Sequence, residues 1–174
     1  MDTIAPYNQA APVFSLPALD GKIYRLEDWL GQVVILNFWS AECPWAERGD
    51  QELLSYLTAW GEAVKWVTIA SNANEADDLL VNVSTRRGLP LVLRDARQKV
   101  ADLYQAQTTP HLFVIDTRGI LRYQGGLDDV TFRQRTPTRP YLRQAVEAVL
   151  AGKEPDPAQT PPYGCTIVRF TTPV

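Results

Sequence analysis

The stretch Val33-Val34-Ile35-Leu36-Asn37-Phe38-Trp39-Ser40-Ala41-Glu42-Cys43-Pro44 decides how this chain folds. Its first seven residues are apolar and β-branched with one interruption, the pattern of a strand buried on both faces. Trp45-Ala46-Glu47-Arg48-Gly49-Asp50-Gln51-Glu52-Leu53-Leu54-Ser55-Tyr56-Leu57 then spaces its apolar positions as a helix does. Pro44 suits the first helical position, where its missing N–H would have been unpaired anyway. Cys43 is thereby placed at the helix N-cap, beside free backbone N–H groups and the positive end of the helix dipole. That setting lowers a thiol pKa and favours the nucleophilic thiolate. A free cysteine can also be an inert buried side chain; its position at a strand-to-helix turn favours the reactive reading.

Working outward, Val13 to Leu26 reads as two short strands around the Asp20-Gly21 turn. Ala63 to Ala70 is a second buried strand. Asn74 to Arg87 has helical spacing through Ala76, Leu79, Leu80 and Val83, and Gly88 is a stop signal. Leu89 to Leu93 predicts a short strand and Ala96 to Ala106 a helix. His111 to Asp116 and Ile120 to Gln124 flank Thr117-Arg118-Gly119 as a hairpin, and Pro140 to Leu150 is the last helix. From Lys153 onward the chain is proline-rich and has little pattern of its own. Helices between strands imply parallel crossovers, while the late hairpin implies an antiparallel edge pair. The expected fold is α/β, with a mixed central sheet, helices on both faces, an N-terminal β-hairpin and an extended C-terminal tail. One domain is expected over 1–174, with the tail 153–174 packing back on the body.

A length of 174 residues, 45% of them hydrophobic, suffices for one domain with a substantial core. A formal net charge of −3 gives no reason to expect a nucleic-acid partner. No apolar run is long enough to span a bilayer, and Met1 to Pro6 has neither a basic nor an apolar leader segment, so the expected location is cytoplasmic. The two cysteines, Cys43 and Cys165, lie far apart and form neither a disulfide scaffold nor a paired zinc-type spacing. No metal site and no cofactor are expected.

Four features in order carry a family resemblance: Cys43-Pro44 after the first core strand, Thr109-Pro110 at a strand entry, Leu127-Asp128-Asp129, and Gly164-Cys165-Thr166-Ile167. Together they resemble the peroxiredoxin-like branch of the thioredoxin fold, the AhpC/TSA-like redoxins, over nearly the whole chain from Ala11. The resemblance implies a thioredoxin-like fold and thiol redox chemistry. The chain departs from thioredoxins at the second cysteine of their Cys-x-x-Cys motif, where Ala46 stands. It departs again at their buried carboxylate, replaced by Asn37, so a local dithiol is excluded. Against the peroxiredoxin motif Pro-x-x-x-Thr-x-x-Cys, Ser40 fits the hydroxyl position but Leu36 stands where proline is wanted. Cys43 also follows its strand too closely for a peroxidatic cysteine. It aligns with the thioredoxin nucleophile, which leaves Ser40 as a strand-terminal hydroxyl.

The resemblance makes Cys165 the candidate resolving partner of Cys43, with an incidental tail thiol as the other reading. A bridge closing so long a loop would be worth on the order of 4–5 kcal/mol in the chain-entropy model. It also implies a cis peptide at Pro110, exposing the Thr109 backbone for strand-like pairing with a substrate near Cys43. Trp45 is either an apolar rim for a docking partner or core. His111, the one histidine, is structural, a modulator of the Cys43 thiolate, or a metal ligand together with Cys43 and Cys165, the structural reading being favoured. Glu42 either opposes the thiolate or is a solvated turn residue, and Asp128-Asp129 suit a turn cap. Three functions follow. The first is a thiol–disulfide oxidoreductase with Cys43 as nucleophile, taking a protein or small-molecule disulfide and a thiol electron donor. The others are a thiol peroxidase forming a sulfenic acid at Cys43, and a non-catalytic thioredoxin-like binding module.

Overall fold

The computed structural model describes residues 7–170. The leader reading at Met1–Pro6 and the last four residues of the tail lie outside them. The central sheet has five strands in the order β5-β4-β3-β7-β8. The middle strand is β3 (Val33–Trp39), flanked by β4 (Val64–Ala70) and β7 (His111–Ile115), with β5 (Val92–Arg94) and β8 (Leu121–Gly125) outermost. β3 runs parallel to β4 and β4 to β5, across helical crossovers, whereas β3–β7 and β7–β8 are antiparallel. That is the mixed sheet the helix and hairpin spacing implied. All seven residues of β3 are buried, and each large apolar side chain among them is worth roughly 1.5–3 kcal/mol by leaving water.

The alternation of side chains along β3 builds two cores. Val34, Leu36 and Phe38 face the N-terminal hairpin β1 (Ser15–Pro17) and β2 (Ile23–Arg25), together with the short helix α3 (Lys99–Leu103). Val33, Ile35 and Trp39 face α1 (Pro44–Trp60), α2 (Asp77–Arg87) and α4 (Tyr141–Leu150). Helices therefore cover both faces, unequally. Two helices start three residues later than their spacing predicts. α3 cannot start before Lys99, because Gln98 adopts φ +60 and the Asp95 carboxylate takes the N–H groups of Val100 and Ala101. α2 starts at Asp77 rather than Asn74, because the Glu75 side chain turns inward to bond the chain before Cys43.

The tail is tied to the body along its length. Thr160 N–H donates to the Gln124 carbonyl at 3.0 Å. β9 (Cys165–Thr166) pairs antiparallel with β6 (Thr108–Thr109), a separate two-stranded ladder. Ile167 is 3% exposed and packs into the hairpin-side core. Among the described residues no helix is long and apolar enough to cross a membrane.

Candidate active site

Cys43 occupies the N-cap of α1 in extended conformation (φ −86, ψ 120), with Pro44 at the first helical position. The β3 strand delivers it there, and it is only 2% exposed. Its Sγ lies 3.0 Å from the Thr109 carbonyl oxygen, to which the protonated thiol donates. The Thr109–Pro110 peptide is cis. On the far side of Thr109 stands Cys165, directly opposite it in the β6–β9 register, and the two thiols are near enough for each to shift the titration of the other. Both cysteines are free thiols. The structure thus gathers Cys43, Thr109, Pro110 and Cys165 at one point.

Burial is the largest influence on the Cys43 thiol and raises its pKa, yet the net shift is downward. The Cys165 thiol, the Thr109 side chain and the backbone N–H groups of Ala46 and Cys165 all favour the thiolate. Thr109 acts on the sulfur in two ways. Its carbonyl favours the thiol, while its buried hydroxyl, which makes no hydrogen bond among the described residues, favours the thiolate. The N-terminus of α1 contributes through the Ala46 N–H of its first turn, although the sulfur makes no close cap hydrogen bond. Cys165 moves the opposite way and is pushed up to about 12, first by burial, then by donating its proton to Cys43 and by the Cys43 charge. One sulfur is prepared to carry charge and its neighbour to keep a proton.

Gly164 explains how the tail comes so close. A Cβ there would sit 2.1 Å from the Thr109 carbonyl oxygen and 2.7 Å from its carbon, so only glycine lets the strand lie on this peptide. Tyr163 meets Trp45 edge to face, with centroids 5.0 Å apart. Trp45 is half-buried, and with Pro110, Leu127, Val130 and Tyr163 it lines a shallow cleft beside the site. Arg48 closes one end of that cleft in a salt bridge with Asp128. Asp129 instead accepts from the Thr138 and Arg139 N–H groups and holds the loop before α4.

Beneath the turn lies a polar network that the sequence reading missed. The Glu75 carboxylate accepts from the Ser40 hydroxyl and, at 3.1 Å, from Ala41 N–H. Ser40 therefore does more than end a strand. Asn72 donates to Glu75 at 3.4 Å and accepts from Val168 N–H at 2.9 Å, linking the chain before Cys43 to the chain after Cys165. Asp50, buried in α1, accepts from Trp39 Nε1 at 2.8 Å and from Arg87 at 3.0 Å. Arg87 also donates to the Ala41 carbonyl at 3.1 Å. Burial raises the Asp50 pKa to about 6 against the pull of Trp39 and Arg87. One signal was available: Asp50 is seven residues past Cys43, on the same α1 face as buried Ala46 and Leu53.

His111 stays apart from this chemistry. Its ring packs on Phe113, its Nδ1 accepts from Gln107 N–H at 3.1 Å, and burial pulls its pKa down to about 4. The Glu42 side chain is exposed and is not among the groups that shift the thiol. Among the described residues, no group of three His, Cys, Asp or Glu side chains is disposed to hold a metal.

The AhpC/TSA family model matches residues 7–124. A thiol-disulfide oxidoreductase ResA of Geobacillus thermodenitrificans is 30% identical over 119 residues, 67% of each chain. The crystal structure of an uncharacterized conserved protein from Geobacillus kaustophilus superposes with a TM-score of 0.88 at 28% identity, covering 98% of this chain and 96% of that one. The thioredoxin domain of a thiol-disulfide oxidoreductase from Bacteroides vulgatus superposes with a TM-score of 0.62 at 17% identity, over 75% of this chain and 92% of that one, and shares the thioredoxin fold.

Proposed function

The chain belongs to the AhpC/TSA family and is a thiol–disulfide oxidoreductase by that kinship, and from this premise we propose that Cys43 is its nucleophile and Cys165 its resolving thiol. The carrying observation is the meeting of the two cysteines on one peptide: the Cys43 sulfur lies 3.0 Å from the Thr109 carbonyl oxygen, and Cys165 pairs directly opposite Thr109. A substrate disulfide is attacked by the Cys43 thiolate as the tail lifts from Thr109. One substrate sulfur bonds to Cys43, and the other leaves as a thiolate and takes up a proton. The tail then returns, Cys165 gives up its proton and attacks the Cys43 sulfur, and the second substrate sulfur leaves. Two electrons have passed to the substrate, and Cys43 and Cys165 are joined. Thr109 and Pro110 offer the backbone edge on which an extended substrate pairs, and Trp45 forms its apolar rim.

Mass mapping of thiols in graded redox buffers tests this reading. A Cys43–Cys165 disulfide that forms and opens reversibly is expected. Two free thiols that persist under oxidising conditions would refute it.

A further inference from the structure

We infer that the oxidised protein is re-reduced by a low-molecular-weight thiol attacking the Cys165 sulfur, and not by a polypeptide thiol pairing at Thr109; this rests on the Cys43–Cys165 disulfide of the proposed function. The geometry distinguishes the two half-reactions. In the dithiol state the tail is held to Thr109 by hydrogen bonds and packing alone, and it can lift. Once the cysteines are joined, the middle of the tail is pinned covalently over the same edge.

That edge is then closed. Both residues of β6 pair with β9, and Gly164 lies so close on the Thr109 carbonyl that not even a Cβ fits between them. Beyond the disulfide, Ile167 N–H donates to the Gln107 carbonyl at 3.0 Å, and the Val168 carbonyl accepts from Ala73 N–H at 3.0 Å and from Gln98 Nε2 at 2.6 Å. Before it, Tyr163 rests on Trp45. A polypeptide donor finds no free strand to pair with, whereas a small thiol needs only a line of approach to a sulfur. Cys165 offers that line, because it keeps part of its surface in solvent while Cys43 is sealed.

The chemistry runs in the direction the site favours. The donor thiolate bonds to Cys165 Sγ, the Cys43–Cys165 bond breaks, and Cys43 leaves as a thiolate among the N–H groups of Ala46 and Cys165. A second donor thiolate attacks the donor sulfur attached to Cys165, forming the donor disulfide, and Cys165 leaves and takes up a proton. Two thiols are oxidised to one disulfide, and one disulfide is reduced to the starting pair.

The experiment uses oxidised full-length protein, reduced in parallel by glutathione and by an unstructured single-cysteine decapeptide of matched thiol pKa. Acid-quenched intermediates are located by mass mapping. The expected result is an adduct on Cys165 and a peptide reaction slower by on the order of tenfold or more. Gly164→Ala, which pushes the strand off Thr109, should bring the two rates together. An adduct on Cys43, or a peptide rate equal to that of glutathione in the wild type, overturns the inference alone. Failure of the intrachain disulfide to form overturns the proposed function beneath it.

Discussion

The turn that carries Cys43 and the strand that carries Cys165 meet at Thr109, yet they are built on opposite terms. Cys43 is set by its neighbours in sequence: a seven-residue buried strand before it and a 17-residue helix after it. Cys165 sits in a two-residue strand whose partner lies far back in the chain, and it is held by non-local hydrogen bonds, by Ile167 in the core and by one close-packed glycine. The rigid side of the site holds the sulfur with the lowered pKa, and the lightly held side the sulfur with the raised one. A thiolate gains from donors fixed in place before it forms, as an electrostatic site does. On the proposed reading a resolving thiol must travel, so it is better carried on a segment held by pairing and packing than on a long element.

The sharpest break of that comparison is to remove each sulfur in turn. Cys43→Ser should lower turnover of a model disulfide by on the order of a thousandfold, since a serine hydroxyl is scarcely ionised at neutral pH. Cys165→Ser should keep the first attack and stop after it, accumulating a mixed disulfide on Cys43. Single-turnover kinetics with mass detection separates the two. Equal losses without a trapped adduct in Cys165→Ser would show that the tail thiol does not resolve.

Stability should divide along the same line. Asp50 is 1% exposed and bonded to Trp39 and Arg87 under the Cys43 turn, so Asp50→Ala takes from a largely buried guanidinium its buried carboxylate and leaves it the Ala41 carbonyl and the exposed Glu47. Breaking a buried pair costs roughly 3–5 kcal/mol, and with Glu47 still in reach of Arg87 the loss should lie at about 3 kcal/mol; Asn72→Ala, which removes the bond from Val168 N–H and the longer one to Glu75, should cost about 1–2 kcal/mol. Urea unfolding measures both. Asp50 also carries a pH signature: its pKa is about 6 in the fold against an ordinary 3.8, so the native state holds a proton that the unfolded chain releases. Its contribution to stability therefore falls as pH rises between those values. In Asp50→Asn that part of the pH slope should vanish.

The same division governed what could be read from sequence. The β3 pattern, Pro44 and the N-cap position of Cys43 obey local rules of periodicity and termination, so they were legible from residues alone. Cys165 entered only through the resemblance carried by Gly164-Cys165-Thr166-Ile167, because a two-residue strand has no period and its pairing is non-local. Glu75 was illegible for another reason, and Asp50 showed itself only by its place on the α1 face of Ala46 and Leu53. A carboxylate at helical spacing reads as solvated surface, and only the tertiary fold turns one toward Ser40 and the other toward Trp39 and Arg87.

The smallest expected effect tests whether the light side of the site also prepares the rigid side. The Cys165 thiol, the Thr109 side chain and the N–H group of Ala46 all favour the Cys43 thiolate, and of these only Cys165 is carried by the tail. Cys165→Ala removes that donor while leaving the β9 backbone able to pair, and the pKa of Cys43 should rise toward its ordinary value. Cys165→Ser keeps an O–H in place of the S–H and should fall between the alanine variant and wild type. The midpoint of the pH dependence of iodoacetamide alkylation, followed at Cys43 by mass spectrometry, reads the shift. An upward order of wild type, serine and alanine means that the docked tail sharpens the nucleophile it later resolves. An unchanged midpoint in both variants would mean that the helix N-terminus and Thr109 set the thiolate by themselves.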